Sequence, residues 1–248
     1  MKTNANYSFS KGLKDGLPIG LGYLSVSFAF GVQASILGLP ILLTVLISMT
    51  NLTSAGQLAG LNVIATASSL AFAVIEIALS QLVINARYFL MSISLTQKMD
   101  DSFTFRHRLF CSTFVTDEIF AVSAAKTRPF GNKYFYGLAL LPYLGWSLGT
   151  LLGAAAGNIL PAIVTGALGI ALYAMFIAII IPPSIQSKGV FLAVVMAAAI
   201  SAAFYYLPFF AKISSGLSII ITALVTALIL AAIFPVKENE KENENETE

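Results

Sequence analysis

The feature that most constrains this chain is a near-unbroken series of apolar runs, each close to the ~20 residues that a helix needs to cross a bilayer. They fall at residues 17–37, 41–67, 68–95, 109–125, 134–157, 162–181, 189–207 and 214–234. A soluble domain carries about 25% charged residues, whereas this one carries 10%, with 57% hydrophobic residues over its 248 positions. Since backbone polar groups must be satisfied internally in lipid, runs of this kind predict helices. The expected fold is therefore an all-α membrane protein of about eight segments, residues 17–235, preceded by a polar cytoplasmic segment at 1–16.

The charges lie mostly at the ends. Glu238, Glu240, Glu242, Glu244, Glu246 and Glu248 make up half of the twelve acids, and residues 236–248 read as a disordered acidic tail, too polar to offset the entropy of ordering. Without that tail the membrane body is basic. Lys2, Lys11 and Lys14 precede the first run, which by the excess of Lys and Arg on cytoplasmic flanks places the N-terminus inside. Its length exceeds the apolar core of a cleaved signal peptide. Eight crossings put both ends inside, with Lys126, Arg128, Lys133 and Lys188 also inside, but leave Lys98, Arg106 and Arg108 outside. If 41–67 and 109–125 are re-entrant hairpins instead, that conflict disappears.

Cys111 and His107 are single residues of their kinds, so no His/Cys cluster for zinc or iron is available. A phosphate-cradling G-x-x-x-x-G-K-[ST] loop is absent as well. No cofactor is expected, nothing points to nucleic acid, and uphill movement of a solute would draw on a gradient.

One run is interrupted. Ser48 to Gln57 carries six polar side chains and a glycine, which suits either a broken helix lining a wet cavity or side chains that bind neighbouring helices together. Pro18, Gly22 and Tyr23 are echoed by Pro142, Gly145 and Trp146, as expected of a repeat whose four-segment halves start on the same side of the membrane.

Ionisable groups at membrane depth cost ~2.5–3.5 kcal/mol each on insertion scales and by default face a cavity or bundle interior. Four stand out: Glu76, Arg87, Asp117 and Glu118. Glu76 and Arg87 lie about 16 Å apart along one helix and do not pair. Arg87 either reaches the interface or meets Asp117 or Glu118. Thr116-Asp117-Glu118 also reads as a capped helix start. Glu76 is a candidate proton carrier, an ammonium or polar-core contact, or an uncharged packing group.

These landmarks, taken together, resemble the AzlC/YgaZ family of branched-chain amino-acid exporters. The resemblance rests on Pro18-x3-Gly22-Tyr23, Ser48 with Ala55-Gly56-Gln57, Asn85-x-Arg87-Tyr88, Thr116-Asp117-Glu118-x-Phe120 and Trp146-x2-Gly149-Thr150. It departs in Tyr88, where histidine is common. It implies a secondary transporter in the bacterial inner membrane that exports valine, leucine, isoleucine or a similar amino acid, driven by protons, with a small membrane partner similar to AzlD/YgaH. A zwitterion needs groups for both charges, so Gln57, Asn85, Arg87, Asp117 and Glu118 are the substrate-binding candidates and Glu76 the proton-coupling one. The alternatives are an intramembrane enzyme using Glu76 or Asp117/Glu118 as acid and base, disfavoured by the lack of a nucleophile constellation, and a structural subunit that supports the small partner.

Overall fold

The computed structural model describes residues 7–67, 69–157, 159–161, 163, 164, 166, 167, 170, 177, 180–185, 187–210 and 213–234. Most of the expected segment 162–181, and the tail at 236–248, lie outside them. The described residues form helices without strands: α1 (Phe9–Ile36), α2 (Ile41–Thr50), α3 (Ser54–Thr66), α4 (Leu70–Thr96), α5 (Phe105–Ser112), α6 (Asp117–Ala124), α7 (Asn132–Ala156), α8 (Lys188–Tyr206) and α9 (Ser215–Ile233), with a 3₁₀ turn at Pro208–Phe210. The five longest, α1, α4, α7, α8 and α9, are long and apolar enough to cross a membrane. The chain divides into two units, residues 1–176 and 177–248.

Within the first unit, α1 and α7 form the most extensive helix pairing. They run parallel, because contacts advance together along both: Gly12 against Tyr134 and Leu138, Gly20 against Leu141 and Gly145, Gly31 against Thr150 and Ala154. Small residues allow backbones to approach this closely in a membrane. A Cβ on Gly145 would stand 2.2 Å from the Gly20 carbonyl oxygen, and one on Gly153 2.0 Å from that of Phe28. Both helices also carry an interior proline, Pro18 and Pro142. The echo between the two stretches thus corresponds to two helices that start at the same end and share a glycine-lined seam.

The run at 41–67 is broken into α2 and α3 at residues 51–53. Ten and thirteen residues span only ~15 and ~20 Å, less than the ~30 Å of hydrocarbon. α2 follows the C-terminal end of α1, and Leu61 of α3 packs with Phe30 and Ala34 near that same end. The pair therefore enters the membrane and turns back.

A second such element enters from the other side. The run at 109–125 is split into α5 and α6, eight residues each. Before α5, Asp100 N–H donates to the Phe130 carbonyl at 3.1 Å and Asn132 N–H donates to Ser102 Oγ at 2.9 Å. After α6, Lys126 Nζ lies 2.8 Å from Asp15 of α1, and Lys98 Nζ donates to its carbonyl at 3.2 Å. Both ends of α5–α6 are thus held at the N-terminal end of α1 and α7. The segment 98–104 shares that end with Lys11, Lys126 and Lys133, so the charge conflict of an eight-crossing scheme does not arise. The expectation of eight segments is refined accordingly: two of them turn back without crossing.

The apolar core at this end comprises Leu95, Phe103, Cys111, Val115, Ile119, Phe130, Tyr134, Phe135, Leu138 and Ala139. α1 begins at Phe9, eight residues ahead of the apolar run. Its polar first turns are helical because Ser8 caps them and Asp15 joins Lys11, Lys126 and the Tyr134 hydroxyl. In the second unit, α8 and α9 pack antiparallel, with Gly189 beside Phe234. They flank a mainly apolar cleft of about 930 Å³.

Gly145→Ala should destabilise the protein by about 3 kcal/mol, the upper range for overpacking, because backbone must move to admit the methyl group. Gly22→Ala, where an added Cβ meets nothing within 4 Å, should be neutral or slightly stabilising, since alanine favours helix. Thermal unfolding in detergent, monitored by chromatographic monodispersity, separates the two. Equal losses would contradict the seam.

Candidate functional site

Both interrupted elements place a helix N-terminus in the interior. Thr53 caps α3, its Oγ1 accepting from Gly56 N–H at 3.3 Å, and Thr116 caps α6, its Oγ1 accepting from Ile119 N–H at 3.4 Å. Both threonines are buried. A capped N-terminus still points unpaired N–H groups and the positive end of its dipole outward, the usual setting for an anion. α6 answers this from within, having Asp117 and Glu118 in its first turn. α3 has no acid there.

α4 passes both breaks and supplies the remaining polar groups. Arg87 Nη1 lies 2.8 Å from Asp117 Oδ2, and Arg87 Nη2 donates to the Tyr88 hydroxyl at 3.1 Å. That hydroxyl also reaches Thr53, which links the α6 start to the α3 start. Nearly two turns before Arg87, Gln81 Oε1 accepts from Asn85 at 3.0 Å and from Asn51 at 3.3 Å, while its Nε2 donates to the Gly56 carbonyl at 2.7 Å. Gln81 thus ties α4 to the first turn of α3 and to Asn51 in the break.

From α1, the Tyr23 hydroxyl lies 2.7 Å from Thr116 Oγ1 and makes a close hydrogen bond with Glu118 Oε2. The Tyr23 ring packs edge-on to Trp146 of α7, centroids 5.2 Å apart. On the other side of the first break, Gln57 Nε2 donates to Ser48 Oγ at 2.9 Å, which in turn lies 2.7 Å from Thr150 Oγ1 of α7. All three side chains are almost wholly buried.

Of the candidates read from sequence, the structure brings Arg87, Asp117 and Glu118 into one cluster and sets Asn85 beside it through Gln81. Gln57 belongs to the adjoining Ser48–Thr150 group. Glu76 sits partly buried on α4, roughly 16 Å along the axis from Arg87 and outside this cluster. Both readings of 116–118 hold together, since Thr116 caps α6 while Asp117 pairs with Arg87. Sequence reasoning passed over Tyr23, Gln81 and Tyr88 as site residues, although Gln81 in an apolar run was a signal of its own. It quoted Ser48, Thr150 and Trp146 as landmarks without giving them a role.

Gln57 Oε1, Asn85 Oδ1, Arg87 Nε and Trp146 Nε1 are buried without a protein hydrogen-bond partner. Each such group costs about 1–3 kcal/mol when left unsatisfied. Two acceptors and two donors around the breaks amount to spare capacity for a polar guest with both kinds of group. Among the described residues, no three His, Cys, Asp or Glu side chains are placed to hold a metal ion.

A family model described as AzlC protein matches residues 18–160, a span that contains every residue of this cluster. The chain is 32% identical over 189 residues to the inner membrane protein YgaZ of Escherichia coli, covering 73% of this chain and 75% of that protein. It is 34% identical over 202 residues to an uncharacterized membrane protein of Archaeoglobus fulgidus, covering 80% and 85%. No solved structure matches it.

Arg87 and Asp117 are 40% and 30% exposed at their side chains, so separating them should cost less than a fully buried pair, about 1–3 kcal/mol. Arg87→Gln and Asp117→Asn should each lower the unfolding temperature, and the double variant should recover most of the loss. Strict additivity in that cycle would show that the pair is not coupled.

Proposed function

The chain belongs to the AzlC family, a membrane protein with a role in membrane transport, and from that premise we propose that it is a secondary exporter of branched-chain or similar apolar amino acids. In this reading it works as the large subunit of a two-component system with a small membrane protein similar to AzlD/YgaH. Its energy comes from the proton gradient, and it does no covalent chemistry on its substrate. The basic end, which gathers Lys11, Lys98, Lys126 and Lys133, faces the cytoplasm of the bacterial cell by the bias of Lys and Arg.

The observation that carries this reading is the pair of half-helix N-termini, at Thr53 and Thr116, brought to one polar cluster from opposite sides. Transporter sites are commonly built from interrupted helices of this kind. The carboxylate of an amino acid fits the α3 N-terminus, which lacks an acid of its own, with Arg87 close by. The ammonium fits the side of the cluster where Asp117 and Glu118 lie. Asn85 and Gln57 supply neutral contacts through their unpartnered oxygens. The Tyr23–Trp146 ring pair offers an apolar wall for a branched side chain.

Labelled leucine efflux from proteoliposomes holding this chain and its small partner, with and without an imposed pH gradient and with each component omitted, tests the proposal. The expected result is efflux that needs both components and follows the gradient. Asp117→Asn, inserted normally, should lower the rate by up to about 100-fold, since a half-buried charge contact of about 1.5–3 kcal/mol is removed. Undiminished transport by that variant would remove Asp117 from the site. Transport by the partner alone would favour the structural-subunit reading, and a lasting chemical change in the amino acid would favour an enzyme.

A further inference from the structure

Hydrogen bookkeeping at Tyr23 gives one more conclusion. The phenol oxygen lies within hydrogen-bond distance of both Thr116 Oγ1 and Glu118 Oε2, yet a phenol has a single hydrogen to give. Thr116 Oγ1 already accepts from Ile119 N–H as the cap of α6. Two arrangements complete this chain. With Glu118 ionised, Tyr23 donates to Glu118 and Thr116 donates to the phenol oxygen. With Glu118 protonated, Glu118 donates to the phenol oxygen and Tyr23 donates to Thr116, so the Thr116 hydrogen is freed. Heavy atoms hold the same positions in both.

We propose that Glu118, framed by Tyr23 and Thr116, is the group that binds and releases the coupling proton, in place of Glu76. The step balances simply: one proton arrives from water, an O–H bond forms on the Glu118 carboxylate, its charge goes from −1 to 0, and the two hydroxyls reverse. Release is the same step backwards.

The neighbours favour Glu118 over Asp117. From α4, Arg87 forms an ion pair with Asp117 at 2.8 Å, while Tyr88 bonds Arg87 rather than either acid. The guanidinium is committed to Asp117, which leaves Glu118 facing hydroxyls. From α1, Tyr23 faces Glu118 directly. From α7, Trp146 packs on the Tyr23 ring and cannot titrate, and Tyr143 is turned to Phe114. Among the described residues the ion pairs are Lys11–Asp15, Arg87–Asp117 and Lys126–Asp15, none of which involves Glu118. Its protein-side partner is a hydroxyl, which can donate to the anion and accept from the acid. Glu118 also sits on α6, whose first turn is in the cluster and whose far end leads to Lys126 and the Asp15 contact.

This inference rests on the exporter reading for its meaning, but a proton site can be measured without transport. Infrared difference spectra of the lipid-reconstituted protein across a pH jump should show a carboxylic-acid carbonyl band. That band should be retained in Glu76→Gln, be lost in Glu118→Gln, and shift its pH midpoint in Tyr23→Phe. In proteoliposomes, whatever leucine flux Glu118→Gln retains should no longer respond to the pH gradient, while Glu76→Gln keeps the dependence. A band that survives Glu118→Gln, or that disappears with Glu76→Gln or Asp117→Asn, overturns the assignment. Should Glu118→Gln not fold, Glu118→Asp must alter the band and its midpoint, and an unchanged band rejects the proposal. A band with the expected behaviour in a protein that moves no amino acid would leave the proton site standing and overturn the exporter reading instead.

Discussion

A break in a helix at membrane depth leaves backbone N–H and carbonyl groups that lipid cannot satisfy, and the first unit is arranged around two such breaks. Thr53 and Thr116 take up N–H groups at the new helix starts, and Gln81 ties Asn51 in the first break to the first turn of α3. Each partner comes from a residue that would be costly elsewhere in an apolar helix. Polar residues in the runs at 41–67, 68–95 and 109–125 are therefore mutually explanatory: each is tolerable because the others are there.

The breaks also decide the topology. None of α2, α3, α5 and α6 is long enough to cross alone, and both ends of each pair lie at one end of α1 and α7, so each pair returns to the side it left. That brings the segment 98–104 beside 126–131 and the starts of α1 and α7, where Asp15 serves Lys11, Lys126 and Tyr134 together. A carboxylate with three donors fixes the polar first turns of α1 in helical form, and the aromatic core around Phe103, Phe130 and Phe135 seals the same end. Position and charge are thus coupled: α6 has Asp117 and Glu118 at one end and leads into this ionic junction at the other.

Much of this was legible in the sequence, and the limits have physical causes. Helical spans follow from hydrophobicity and length alone. The interruption at 48–57 was visible as polar residues in an apolar run, and Thr116-Asp117-Glu118 as a helix start. Whether such a run crosses or returns is invisible to hydropathy, which counts apolar residues without their direction. The misplaced charges Lys98, Arg106 and Arg108 were the useful sign, since re-entry resolves them. Partners far apart in the chain were out of reach: Tyr23 meets Glu118 across 95 positions and Ser48 meets Thr150 across 102, and neither pairing has a local pattern. Glu76 drew notice because it is isolated in an apolar run, and Glu118 because it stands at a helix start, but the hydroxyl that Glu118 meets, that of Tyr23, comes into view only in the fold.

The glycine seam between α1 and α7 bears on how such a molecule can move. Two helices whose backbones touch at Gly20 and Gly145, at Leu24 and Gly149 and at Phe28 and Gly153 have no side-chain layer between them to slide on or to repack. A relative shift of even one residue would drive a carbonyl into the neighbouring chain. They form a keel. Sliding of α1 against α7 along this line is therefore closed off within the first unit, whereas the short hairpins are held by side-chain hydrogen bonds and ion pairs that can be exchanged one at a time.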